Sequence, residues 1–264
     1  MERRGGDHLA SRAEGGRRKH MSRKTLAGKR VAITGGAHGI GRETALAFLA
    51  EGADIAIGDM DSGSVRALAD HLVRIHGGTV VGLPLDVTDS LGFAGFLTCA
   101  DRKLGGLDVV VNAADIVPTG GAFLAETEAE ADRQIDVNLR AVITGTRLAA
   151  ARFVEQGHGQ IVNIGTAAGV PGALGIAVYT ATRHGVVGLG AALDREFAEH
   201  GVTVSTVAAG AVCDTEAVAD TVVACVARQL GGLITVRRPG AARGAAVREA
   251  ARRLLGARTP ALLG

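Results

Sequence analysis

In the run VYTATRHG, residues 178–185, Tyr179 precedes Arg183 by four positions. Inside a helix that spacing puts both side chains on one face, one turn apart. A free phenol ionises at about pH 10, so a fixed cation beside it is what allows it to exchange a proton with a carbonyl or alcohol oxygen near neutrality. Arginine supplies the charge but holds its own proton, which lysine need not do.

A second group lies in VAITGGAHGIGRETA, where Gly35, Gly39 and Gly41 fall between an apolar run and a helical one. Glycines placed there let the backbone close on a pyrophosphate at the helix N-terminus, where the amide dipoles favour negative charge. The plainer alternative is a tight turn that binds nothing. Asp59 follows Gly41 by 18 residues at the end of the next apolar run, with Met60 after it. A carboxylate at that place accepts hydrogen bonds from ribose hydroxyls and repels a 2′-phosphate, which favours NAD over NADP. A solvated turn aspartate is the alternative.

Elements that would position these groups alternate along the chain. Short β-branched runs at 30–34, 54–59, within 79–87, 107–114, 160–165, 202–208 and near 233–236 predict strands. Between them, 40–52, 64–76, 90–103, roughly 128–156, 177–200 and 216–229 predict helices. Near-continuous apolar strands separated by helices imply a parallel sheet covered on both faces, and right-handed crossovers make it a doubly wound, Rossmann-type α/β domain.

With 264 residues and 47% apolar content the chain can bury one such core. Cys99, Cys213 and Cys225 form no metal-ligand or disulfide spacing, which favours a reducing, cytoplasmic setting and no metal site. The net charge of +2 conceals a segregation. Residues 1–24 carry eight basic and three acidic groups, residues 237–264 seven and one, and the body between them 14 and 23. An acidic body argues against a nucleic-acid groove. The first segment, 1–24, is expected to be a disordered basic tail, with Met21 a candidate true start; 25–236 is the expected catalytic domain, and 237–264 a basic tail or helix. The 24 residues from Gly159 to Thr182 lack charged side chains, but Pro171 and several glycines divide them, so a buried strand and turn explain them better than a membrane span.

Taken together, the glycine loop and the tyrosine–cation pair make the chain resemble the short-chain dehydrogenase/reductase family over about Lys29 to Val236. TGGAHGIG matches the family's TGxxxGxG, Asp86 in LDVTD its adenine-contacting aspartate, Asn138 in DVNLRAV the helix asparagine of its catalytic tetrad, and Tyr179 its catalytic tyrosine. The resemblance implies that Tyr179 is the acid/base and that Thr166, thirteen residues earlier, orients the carbonyl. Arg183 then sets the phenol's acidity and holds the nicotinamide ribose, while Asn138 supports a proton relay through water. It also implies that NAD lies along Gly35, His38, Gly39, Ile40, Gly41, Asp59, Met60, Asp86, Val87, Asn112, Ala113, Ala114, Tyr179, Arg183 and Val212, and that the chain forms a homodimer or homotetramer through the helices near 128–156 and 177–200.

Departures from the family pattern cluster at the chemistry. Thr166 stands for serine, Arg183 for lysine, Ala113-Ala114-Asp115 for the end of NNAG, Ala209 for the proline of a PG pair, and the lid after Gly210 is short. Threonine keeps the hydroxyl. One displaced hydrogen bond to a charged group costs ~1.5–3 kcal/mol, a roughly ten- to hundred-fold loss of rate, so the site is expected to be weakened. Asp115 either pairs with Arg183, a new anion answering a broader cation, or faces solvent. His184 is expected to be packing or surface. Two functions follow: an NAD-dependent oxidoreductase interconverting a secondary alcohol and a ketone, or a catalytically silent NAD-binding protein with a regulatory or assembly role.

Overall fold

The computed structural model describes residues 25–166, 174–209 and 214–236. The expectations for both basic tails and for Val212 lie outside these residues, as does the side chain of Thr166.

Seven parallel strands form one sheet in the order β3-β2-β1-β4-β5-β6-β7. They are β1 Arg30–Thr34, β2 Asp54–Asp59, β3 Val80–Pro84, β4 Val109–Asn112, β5 Gly159–Thr166, β6 Val202–Ala209 and β7 Gly232–Thr235. The order runs outward from β1 in one direction and from β4 in the other. The chain therefore reverses its winding between β1 and β4, and a crevice opens there beyond the strands' carboxyl ends. In-register pairs such as Ile33 with Ile57 and Ile33 with Val111 keep β1 at the centre of the apolar sheet.

Helices cover both faces. α1 (Gly39–Ala50), α2 (Ser62–His76) and α7 (Thr215–Ala227) bury Phe48, Leu72 and Val222 against one face. α3 (Ser90–Leu104), α5 (Ala141–Gln156) and α6 (Ala177–Phe197) cover the other, where Phe93, Phe96 and Phe153 lie in the core. Asp61 and Asp89 cap α2 and α3 by accepting backbone N–H groups, as short polar side chains at that position do.

The helical run expected over 128–156 is divided. α4 (Glu128–Ile135) starts on a capping box between Thr127 and Glu130, and a π-turn over Asp136–Arg140 separates it from α5. The extra residue of a π-turn re-aims the side chains it carries, and Asn138 sits in it, wholly buried. Among the described residues no helix is long and apolar enough to cross a membrane.

Candidate active site

A cavity of about 1080 Å³ runs along the carboxyl edge of the sheet, from Asp59 and Met60 at the end of β2 to Tyr179 and Arg183 on α6. Gly35, His38, Gly39 and Ile40 line its floor, Asp86 and Val87 one flank, and Ala113, Ala114 and Asp115 its middle. These groups are far apart in the chain and meet because every one follows the carboxyl end of a parallel strand.

The glycine loop is shaped by close approach. Gly35 has φ +65°, and a Cβ on it would lie 2.7 Å from Ala114 Cα. A Cβ on Gly41 would lie 2.1 Å from the Gly35 carbonyl oxygen, so Gly41 serves the packing of α1 against the loop and does not itself line the cavity. Gly39, at φ +50°, has open space where a side chain would project. The Thr34 hydroxyl accepts from the backbone N–H groups of Ala113 and Ala114 at 3.0 and 3.1 Å, which fixes the loop after β4 against β1. That tie was readable only as a threonine before the glycines.

At the far end, Asp59 Oδ2 accepts from Ala37 N at 3.0 Å and Oδ1 from Asp61 N at 3.2 Å. The carboxylate is thus anchored to the glycine loop while remaining on the cavity wall. Asp86 accepts from the Thr88 hydroxyl at 2.7 Å and from its N–H at 2.9 Å, both on Oδ1. The Thr88 hydroxyl, then its backbone N–H, hold the Asp86 carboxyl below the ordinary range, so it presents an acceptor at neutral pH. Arg42, beside Gly41 in sequence, is not among the lining groups.

The chemical end is organised by α6. Tyr179 and Arg183 share a face as the spacing requires, with the guanidinium carbon 5.7 Å from the centre of the phenol ring. Arg183 is only 4% exposed. Asp115 joins them: its Oδ2 accepts from the Tyr179 hydroxyl at 2.9 Å, and its Oδ1 lies 3.5 Å from Arg183 Nη1. Of the two alternatives left open by the sequence, pairing is the one found. Arg183 Nη2 also donates to the Gly165 carbonyl at 3.5 Å, which ties the cation to the end of β5.

Two expected site residues make hydrogen bonds within the protein. Asn138 spends both halves of its amide on the backbone of Ile116, accepting from its N–H and donating to its carbonyl, each at 2.9 Å. It clamps the segment that carries Asp115. Asn112 is buried and donates to Asn163 at 2.8 Å and to Thr146 at 3.3 Å, beneath the sheet edge and off the cavity wall.

The remaining wall was not foreseen. Asp132, Arg133 and Asp136 of the α4 segment, with Ile176 and Thr180 before and on α6, complete it. Nothing in their local sequence marks them, since they reach the cavity only through the packing of α4 on α6. His184 is exposed at the same wall and contacts the Thr180 carbonyl through Nδ1 at 2.9 Å.

A parallel sheet with a glycine loop at its winding reversal and a carboxylate closing β2 defines the Rossmann-type class. Within it, the sequence model described as short chain dehydrogenase matches residues 29–224, and the chain belongs to that family. It is 35% identical over 185 residues to the 2,5-dichloro-2,5-cyclohexadiene-1,4-diol dehydrogenase LinX of Sphingobium indicum, covering 70% of this chain and 73% of that one. To the levodione reductase of Leifsonia aquatica it is 32% identical over 183 residues, 69% and 68% of the two chains. A crystal structure of a short chain dehydrogenase from Mycobacterium smegmatis superposes with a TM-score of 0.76 at 29% identity, covering 83% of this chain and 95% of that one. A metagenomic short-chain oxidoreductase in complex with NADP gives 0.74 at 31% identity, covering 82% and 100%.

Proposed function

We propose that the chain is an NAD-dependent oxidoreductase that interconverts a secondary alcohol and a ketone, with residues 25–236 as its catalytic domain. The observation that carries the reading is one continuous cavity with Asp59 at one end and the Tyr179 hydroxyl, beside a buried cation, at the other. The residues fit a dinucleotide. The close-packed glycine loop would take the pyrophosphate, Asp59 the adenosine ribose, Asp86 the adenine amine, and Arg183 the second ribose. When bound, the nicotinamide supplies the site of hydride gain or loss.

The protein's own part is proton and charge. Tyr179 exchanges a proton with the substrate oxygen, and Arg183 keeps a positive charge at its ring throughout. Thr166 is the proposed carbonyl-orienting hydroxyl, since β5 delivers its backbone next to Gly165 on the cavity wall. NAD is preferred over NADP because the Asp59 carboxylate stands where a 2′-phosphate would come, although a structural neighbour was crystallised with NADP. We take the enzyme to be cytoplasmic and a homodimer or homotetramer, a state that sedimentation would read.

One observation favours a second reading, the silent NAD-binding protein: the Tyr179 hydroxyl is already engaged by Asp115. Fluorescence titration with NADH and NADPH, followed by turnover of a panel of secondary alcohols and ketones by the wild type and Tyr179→Phe, decides between them. The oxidoreductase reading expects tighter binding of NADH and turnover abolished by the substitution. Binding of NADH with no turnover above the Phe variant would establish the silent protein.

A further inference from the structure

Whatever proton Tyr179 takes from an alcohol must travel on, and a guanidinium has no site to receive it. Among the described residues, the Asp115 carboxylate is in contact with the phenol and can accept a proton. Its Oδ2 is 2.9 Å from the Tyr179 oxygen, within the distance at which a proton crosses. Its Oδ1 is fully buried and makes no hydrogen bond among the described residues, with Arg183 Nη1 3.5 Å away as counter-charge. The side chain as a whole is 18% exposed, which leaves it a route to solvent.

We propose that Asp115 receives and returns the proton that Tyr179 exchanges with substrate, an inference that rests on the oxidoreductase reading. In the oxidative direction the alcohol O–H bond breaks and its proton goes to the Tyr179 oxygen. The proton that Tyr179 carried passes to Asp115 Oδ2, and a carboxylic acid forms. A bound nicotinamide would supply the acceptor for the C–H electron pair, leaving the carbonyl. Asp115 then releases its proton to solvent. In reduction each transfer reverses, and Asp115 must be protonated first.

The other titratable groups at this cavity are Tyr179, Arg183 and His184 on α6, Asp132, Arg133 and Asp136 on the α4 side, and His38, Asp59 and Asp86 toward the glycine loop. Among the described residues, the Asp115 carboxylate accepts from Tyr179 and faces Arg183. Asparagine at this position keeps the shape and can still accept the phenol's hydrogen bond, but it cannot take a proton, so it separates holding from relaying.

The test uses Asp115→Asn and Asp115→Glu with two readouts. The chain has one tyrosine and no tryptophan, so its phenolate absorbance titrates Tyr179 alone. Removing the neighbouring anion while Arg183 stays is expected to move that titration to lower pH, by about 1 pH unit or more. An unmoved titration would overturn the contact itself. In turnover, Asp115→Asn is expected to lower kcat for alcohol oxidation by at least ~100-fold, with NADH affinity retained. Asp115→Glu is expected to recover part of the rate. An Asn variant that shifts the tyrosine titration yet keeps wild-type kcat would overturn the relay and leave the function standing. A wild type that binds NADH and turns over no alcohol or ketone would overturn both.

Discussion

Reverting Arg183 to the family's lysine would, on sequence logic alone, raise activity. The structure predicts otherwise, because Arg183 faces the Asp115 carboxylate. The guanidinium spans Asp115 Oδ1 and the Gly165 carbonyl, each at 3.5 Å, from a position 4% exposed. A single ammonium on a shorter arm cannot serve both, and Asp115 Oδ1 has no hydrogen bond among the described residues to fall back on. At 3.5 Å the Coulomb attraction is ~4.7 kcal/mol for an effective dielectric of about 20. Desolvation of both charges cancels much of it, leaving a coupling of ~1–3 kcal/mol. The cycle of Arg183→Gln, Asp115→Gly and the double variant should therefore be non-additive in urea unfolding, the double variant losing ~1–3 kcal/mol less than the two single losses together. Turnover should follow the same pattern, with Arg183→Lys alone giving no gain and requiring Asp115→Gly beside it. Single-variant losses that add to within ~0.5 kcal/mol would refute the pairing.

Three further outcomes are expected. Gly41→Ala should lose ~1–3 kcal/mol of stability and most NADH binding, because the added methyl meets the Gly35 carbonyl at 2.1 Å; thermal melting and fluorescence titration check it. Asp59→Asn should keep its tie to Ala37 while relieving the repulsion of a 2′-phosphate, raising the NADPH-to-NADH affinity ratio about tenfold, or ~1.4 kcal/mol. Asp108 is pushed up by burial, but hydrogen bonds from the Arg30 side chain and backbone outweigh that and hold it below its ordinary value. Its contribution is present above the unfolded value of about 3.9 and lost as pH falls through the lower folded value. Asp108→Asn should thus be ~1.5–3 kcal/mol less stable at pH 7 and show a flatter loss below about pH 4, read from urea midpoints across pH.

What the sequence determined by itself is the frame. Strand β1 falls on the expected 30–34 and β2 on 54–59, because a strand buried on both faces must be apolar throughout and its ends are marked by charge or glycine. The glycine spacing located the cavity, and the four-residue interval put Tyr179 and Arg183 on one face. Those are local or periodic signals, carried by a few neighbouring residues each. The structure alone decided where side chains with two or more plausible partners would turn. Asn138 and Asn112 are both asparagines near the chemistry, yet one clamps Ile116 and the other joins Asn163 and Thr146 under the sheet. The break of 128–156 at the π-turn was equally hidden, since the helical pattern of apolar residues runs through it. Asp115, 64 residues from Tyr179, turns inward to the phenol and the arginine. A charge is driven inward only where another charge and a donor already wait, and that condition is met when β4 and α6 come together in the folded chain.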